Sequence, residues 1–177
     1  MKILVISDSH LYENYLENVI KEFENQVDLL IHCGDSSLQK NNRLMQKFDI
    51  AVLGNHDEDD YPVYTTYQNI LATHGHRFNV YKGYEELIDL CHKKNCQFCF
   101  HGHTHVPTYQ KHEGIIFINP GSLMMNRGSY GYGTFALVDI TNNHFDIQFL
   151  HHETYQICDQ TILEEGIKLL EEFKKLV

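Results

Sequence analysis

Lys2-Ile-Leu-Val-Ile-Ser-Asp-Ser-His10 begins as a short apolar run and ends in a carboxylate and an imidazole. The same form returns along the chain. Val27–Cys33 runs into Gly34-Asp35, Ile50–Leu53 into Gly54-Asn-His-Asp57, and Asn69–Thr73 into His74-Gly-His76. Gln97–Phe100 leads to Gly102-His-Thr-His105, and Ile115–Ile118 to Asn119-Pro-Gly-Ser122. Runs this short and this rich in Ile, Val and Phe read as buried strands. Helical patterns fall at Tyr12–Asn25, Leu38–Phe48 and Tyr84–Lys94. Alternating strand and helix predicts an α/β fold whose sheet starts out mostly parallel. Beyond it, His112-Glu-Gly114 and Asn142-Asn143 read as hairpin turns, so the later strands should be antiparallel. Ile162–Leu176 spaces Leu163, Ile167, Leu170 and Phe173 as the apolar face of a closing helix.

Ligands of open α/β sheets bind beyond the carboxyl ends of strands. One Asp or Asn after a strand is ordinary turn chemistry, but here five strand ends carry metal-ligand side chains, often beside a glycine. In Asp8-Ser-His10 and His103-Thr-His105 the ligands stand two apart, which on extended chain sends both to one side. Asp8, His10, Asp35, Asn55, His74, His103 and His105 make seven candidate ligands, all nitrogen or oxygen donors. Such a set suits Mn, Fe, Co, Ni or Zn, whereas a structural zinc site would use thiolates. Seven groups exceed what one ion needs and match two ions sharing a carboxylate, a common device for hydrolysing phosphate esters.

Composition bounds the rest. The 177 residues suit one domain with a real core, spanning 1–177. Fourteen basic against 24 acidic residues give a formal charge of −10, which argues against long nucleic acid or an anionic membrane as partner. Ile3–Ile6 is too short an apolar run for a signal peptide. With five cysteines, it predicts a reduced cytoplasmic protein.

The order Asp-x-His, Gly-Asp, Gly-Asn-His-Asp, His-Gly and Gly-His-Thr-His, from Asp8 to His105, resembles the calcineurin-like metallophosphoesterases, in particular their small single-domain phosphodiesterase branch. The resemblance extends to Ser122 and implies two packed mixed β-sheets flanked by helices. It places Asp8, His10 and His105 on a first divalent ion and Asn55, His74 and His103 on a second, with Asp35 as the bridge. Manganese is the expected metal, with Ni, Co, Fe or Zn as alternatives. His56 takes the role of the catalytic histidine that protonates the leaving oxygen. The implied reaction is in-line attack on a small phosphodiester by hydroxide drawn from a water the two ions share. The chain departs from larger relatives at Gly34-Asp-Ser-Ser-Leu38, which lacks the second Asp and the Arg of their Gly-Asp-x-x-Asp-Arg-Gly and so leaves His56 without an orienting carboxylate. Modest turnover is the expectation. The alternatives are a short-oligonucleotide or cyclic-nucleotide phosphodiesterase, and an interaction scaffold like the small retromer subunit.

Lesser signals receive bland readings first. Cys91, Cys96 and Cys99 have an iron–sulfur-like spacing but read as core, as does Cys33. His32, His101, His144, His151 and His152 read as packing or surface residues, and Asp57 as a hydrogen-bonding support of the centre. His76 and Arg127 are candidates for lining the substrate pocket. Tyr130 and Tyr132, in Gly128–Gly133, read as a flexible rim or a subunit contact. The last helix should pack on the core, with a homodimer contact as the alternative.

Overall fold

In a computed structural model, which describes residues 1–58, 60–128, 130–141, 144–158 and 160–176, the strands assemble into two five-stranded mixed sheets. The first has the order β10-β9-β1-β2-β3, with β1 Lys2–Ile6, β2 Leu29–His32, β3 Ile50–Ala51, β9 Thr134–Ile140 and β10 Phe145–His151. The second runs β4-β5-β6-β8-β7, with β4 Tyr64–Tyr67, β5 Ile70–Thr73, β6 Phe98–Phe100, β7 Thr108–His112 and β8 Ile115–Asn119. Each sheet has three parallel strands, β1-β2-β3 and β5-β6-β8, flanked by antiparallel partners. The implied pair of mixed sheets is therefore present.

Strand alternation builds the layers. On β1, Ile3 and Val5 point between the sheets and meet Ile31, Ile70, Phe100 and Ala136. Leu4 and Ile6 point the other way, onto Leu16, Val19, Ile20 and Phe23 of helix α1, Glu13–Phe23. On the far side, Leu71, Cys99 and Phe117 pack under Leu87 and Cys91 of helix α2, Glu85–Lys94. Cys91, Cys96 and Cys99 are buried in that layer and Cys33 between the sheets, so all four are packing residues. Among the described residues no helix is long and apolar enough to cross a membrane.

Three expectations need correction. Leu38–Phe48 is not a helix; it holds only a 3-10 turn at Met45–Lys47. Asn42 accepts the Leu44 N–H through its side chain, a local bond that competes with helical pairing, while Leu38, Leu44, Met45 and Phe48 still reach the core from irregular chain. Strand β4 was not foreseen, because Tyr64-Thr-Thr-Tyr67 is a half-exposed edge with little apolar pattern. Helix α3, Gln160–Lys174, buries Ile162, Gly166 and Leu170, whereas Ile167 is exposed. Gly166 is required there: a Cβ would meet Val106 Cγ1 at 2.9 Å and the Pro107 carbonyl at 3.0 Å. The turn at Glu113-Gly114 has positive φ at both residues, the geometry of a tight hairpin joining β7 to β8. Asn142-Asn143 lies outside the described residues.

Candidate metal centre

The carboxyl ends of β1, β2, β3, β5 and β6 deliver the seven candidates to one end of the sandwich. Extended chain is not how they arrive. Asp8, His10, Asp35, His103 and His105 all have positive φ, between 44° and 69°, so each sits in a left-handed turn just past its strand. Non-glycine residues rarely adopt this conformation, and clusters of it mark sites held by their surroundings. Asp8 and His10 thus converge through successive turns, which corrects the extended-chain argument.

Two groups of side chains form. Asp8, His10 and His105 place one donor atom each within 4.8 Å of one another, and so do Asp8, Asp35 and His74. Asp8 Oδ1 belongs at the junction: His105 Nε2 is 3.1 Å away, and His10 Nε2 and His74 Nε2 are each 3.9 Å away. This oxygen is buried and has no hydrogen-bond partner. A buried carboxylate oxygen left unpaired is costly, whereas a divalent cation among these donors would satisfy it. The residues present therefore fit divalent metal. Asn55 Oδ1 lies 3.1 Å from His74 Nε2, and the His103 ring is 5.0 Å from that of His74. Asn55 and His103 border the second group, and Asp35, the expected bridge, stands in that group alone.

The surroundings fix these atoms. Asp8 Oδ2 accepts from Ser7 Oγ at 2.6 Å and from the His103 N–H at 3.1 Å, which leaves Oδ1 directed at the imidazoles. His74 Nδ1 bonds the Cys33 carbonyl at 2.7 Å, turning Nε2 toward Asp35 Oδ2 at 3.4 Å. Asp57 accepts from the N–H groups of Asp35, Ser37 and Gly54 and from Ser36 Oγ, tying two ligand loops together as expected. Ser122 Oγ donates to the Asp8 carbonyl, and Asn119 Nδ2 donates to the Gly102 carbonyl and to Thr104 Oγ1. The Asn119–Ser122 segment thus supports the ligand loops. At Gly102 a Cβ would collide with Ser7 Oγ and Asp8 Oδ2, so the histidine loop needs glycine to approach this closely.

Burial and charge set the protonation states. Burial opposes ionisation of Asp8, but the imidazoles of His74 and His105 and the Ser7 hydroxyl outweigh it, holding the carboxyl well below its usual range. Burial pushes His103 down to about 4 and lowers His10 against the pull of Asp8. Burial also acts to lower His74, yet the charges of Asp8 and Asp35 raise it above the ordinary histidine value.

His56 lies at the rim, exposed, its ring 5.4 Å from that of His10 and its backbone N–H on Asp35 Oδ1 at 2.8 Å. Among the described residues its imidazole has no carboxylate partner. His76 is half-buried, 5.3 Å from the His74 ring, with Nδ1 unpaired. His32 and His101 are fully buried outside the two groups. The sequence reading missed Tyr81, whose hydroxyl donates to the His103 carbonyl at 3.2 Å and whose ring lies 5.1 Å from that of His103. No motif marks it.

Residues 1–143 match the calcineurin-like phosphoesterase superfamily domain. The chain belongs to that family. It is 33% identical over 172 residues to a probable metallophosphoesterase of Bacillus subtilis, YsnB, covering 90% of this chain and 96% of that protein. The crystal structure of a predicted phosphoesterase from Streptococcus pneumoniae superposes with a TM-score of 0.83 at 30% identity, over 90% of this chain and 93% of that one. A structure described as a novel archaeal phosphodiesterase has a TM-score of 0.66 at 21% identity, covering 85% of this chain and 100% of that one, and at that identity shows the fold alone. Family membership makes the protein a metallophosphoesterase by class.

Proposed function

We propose that the protein is a binuclear metal-dependent phosphoesterase acting on small phosphodiesters. One observation carries the reading: two donor groups share Asp8, whose buried Oδ1 faces three imidazoles and accepts no hydrogen bond. Asp8 would serve both ions, with His10 and His105 on one and Asp35, Asn55, His74 and His103 on the other, and with Mn2+ the expected occupant. Bound ions would supply Lewis acidity at the phosphoryl oxygens and a nucleophile at neutral pH. The chain's own residues orient and exchange protons around that centre. His56, exposed at the rim and adjacent to His10, would give a proton to the departing alkoxide. Asp35 accepts the His56 backbone N–H, which ties the loop of the proton donor to the second donor group. The acidic chain favours a short diester over a long polynucleotide.

The test is a screen of metal-free protein reloaded with Mn, Ni, Co, Fe or Zn against phosphodiester and phosphomonoester substrates. Diester turnover that chelation abolishes and one of these metals restores is the expected result. Stoichiometric metal binding with no turnover on any ester would overturn the enzyme reading in favour of an interaction scaffold.

A further inference from the structure

Residues 122–127 form a strap between the two ligand loops. Ser122 Oγ and the Met124 N–H reach the Asp8 carbonyl at 2.9 and 3.4 Å, and the Arg127 N–H reaches the His105 carbonyl at 2.8 Å. Arg127 therefore starts at the backbone of a ligand. Its guanidinium lies over the ring of Phe173, 5.8 Å from the centroid. Phe173, near the end of α3, meets Tyr81 edge-on at 5.7 Å, and Tyr81 in turn meets His103 at 5.1 Å. The closing helix thus provides an aromatic shelf that seats one arginine and reaches His103 through Tyr81.

The charge of that arginine is unspent. Arg127 is exposed and, among the described residues, pairs with no carboxylate, although acidic residues outnumber basic ones by 24 to 14. Among the described residues Arg77 and most lysines are likewise outside any ion pair, and what sets Arg127 apart is its seat on Phe173 next to a ligand loop. A cation–π contact orders a guanidinium without neutralising it, leaving its N–H fork open to an anion. Two cations held at the centre would already neutralise the phosphoryl oxygens. A cation set to one side suits a different group on the same substrate.

Resting on the phosphoesterase reading above, we propose that Arg127, shelved on Phe173, is a specificity-determining residue that binds a second anionic group, carried a few bonds beyond the scissile phosphate. The preferred substrates are then phosphate esters bearing a carboxylate or a further phosphate on the alcohol portion. The fork geometry of guanidinium matches either anion.

Equilibrium binding tests this without turnover. Mn-loaded protein is titrated calorimetrically with propylphosphonate and with 3-phosphonopropanoate, which differ in the terminal carboxylate. Wild-type protein should bind the carboxylate probe roughly tenfold more tightly, the size of one partly exposed charged hydrogen bond. Arg127→Ala should bring the ratio close to one, and Phe173→Leu, which keeps apolar packing but removes the π face, should reduce it roughly threefold. Equal affinities in the wild type, or a preference that survives Arg127→Ala, would overturn the assignment while leaving the phosphoesterase reading intact. If neither phosphonate binds, the phosphoryl site itself is wrong and both proposals fall.

Discussion

The two donor groups share one carboxylate and differ in nearly everything else. Asp8, Asp35 and His74 are sealed, with side-chain exposures of 0%, 2% and 0%, whereas His10 and His105 keep 19% and 18%. In the sealed group His74 is clamped by a main-chain carbonyl and its protonated form is favoured by two carboxylates. In the open group two imidazole Nε2 atoms face each other at 3.3 Å and burial lowers the pKa of His10. The difference is one of access: Asp35 and His74 are closed to solvent, while His10 and His105, beside the exposed His56, are partly open. On the reading proposed above, the closed side would hold its ion more firmly and the open side would meet substrate.

The largest expected effect breaks the comparison at its shared residue. Asp8→Ala should strip both ions and reduce diester hydrolysis to background, because Oδ1 is common to both groups. Elemental analysis checks this; a variant that keeps one full equivalent would make the halves independent. His56→Ala is next, with turnover expected to fall roughly 10²–10⁴-fold at unchanged metal content. If metal left with the side chain, His56 would be a ligand of the open half. Asp57→Ala cuts the ties among the Asp35, Ser37 and Gly54 backbones and should weaken one ion by roughly 10–100-fold, the usual weight of a residue supporting ligands. Competition with a metal-sensitive dye reads this. Loss spread equally over both ions would contradict the division.

The smallest effect lies in the metal-free protein, where histidine titrations followed by NMR should separate the groups. His74, although fully buried, should protonate above the ordinary histidine value of 6.5, and His103 should stay neutral down to about pH 4. The linked stabilities run in opposite directions. A raised folded pKa gives His74 a contribution fully present below pH 6.5 and lost as pH rises through its folded value. A lowered one gives His103 a contribution present above pH 6.5 and lost as pH falls toward 4. The reverse order of titration would refute the electrostatic contrast.

The strand ends that carry the site were legible in the sequence because short runs of Ile, Val, Leu and Phe stop at an Asp, Asn or His, often beside a glycine. Asp8, Asp35 and His103 needed no tertiary information to be singled out. The geometry that joins them did: five left-handed turns, with Asp8 rather than Asp35 standing in both groups, depend on contacts across the two sheets. Leu38–Phe48 misled because its apolar spacing fits a helix, while Asn42 diverts the backbone into turns. Ile167 misled because periodicity cannot tell that Gly166 is the residue pressed on Val106 and Pro107. Tyr81 and Phe173 lie far apart in sequence in unremarkable settings, and only the fold of α3 brings them to His103 and Arg127.

Diffraction from crystals of Mn-reconstituted protein, with anomalous data collected at the manganese edge, tests the central claim most directly. The account predicts two peaks per chain, roughly 3.5–4 Å apart, both beside Asp8, one also touching His10 and His105 and the other Asp35, Asn55, His74 and His103. A single peak, or an ion lying outside these residues, would contradict it.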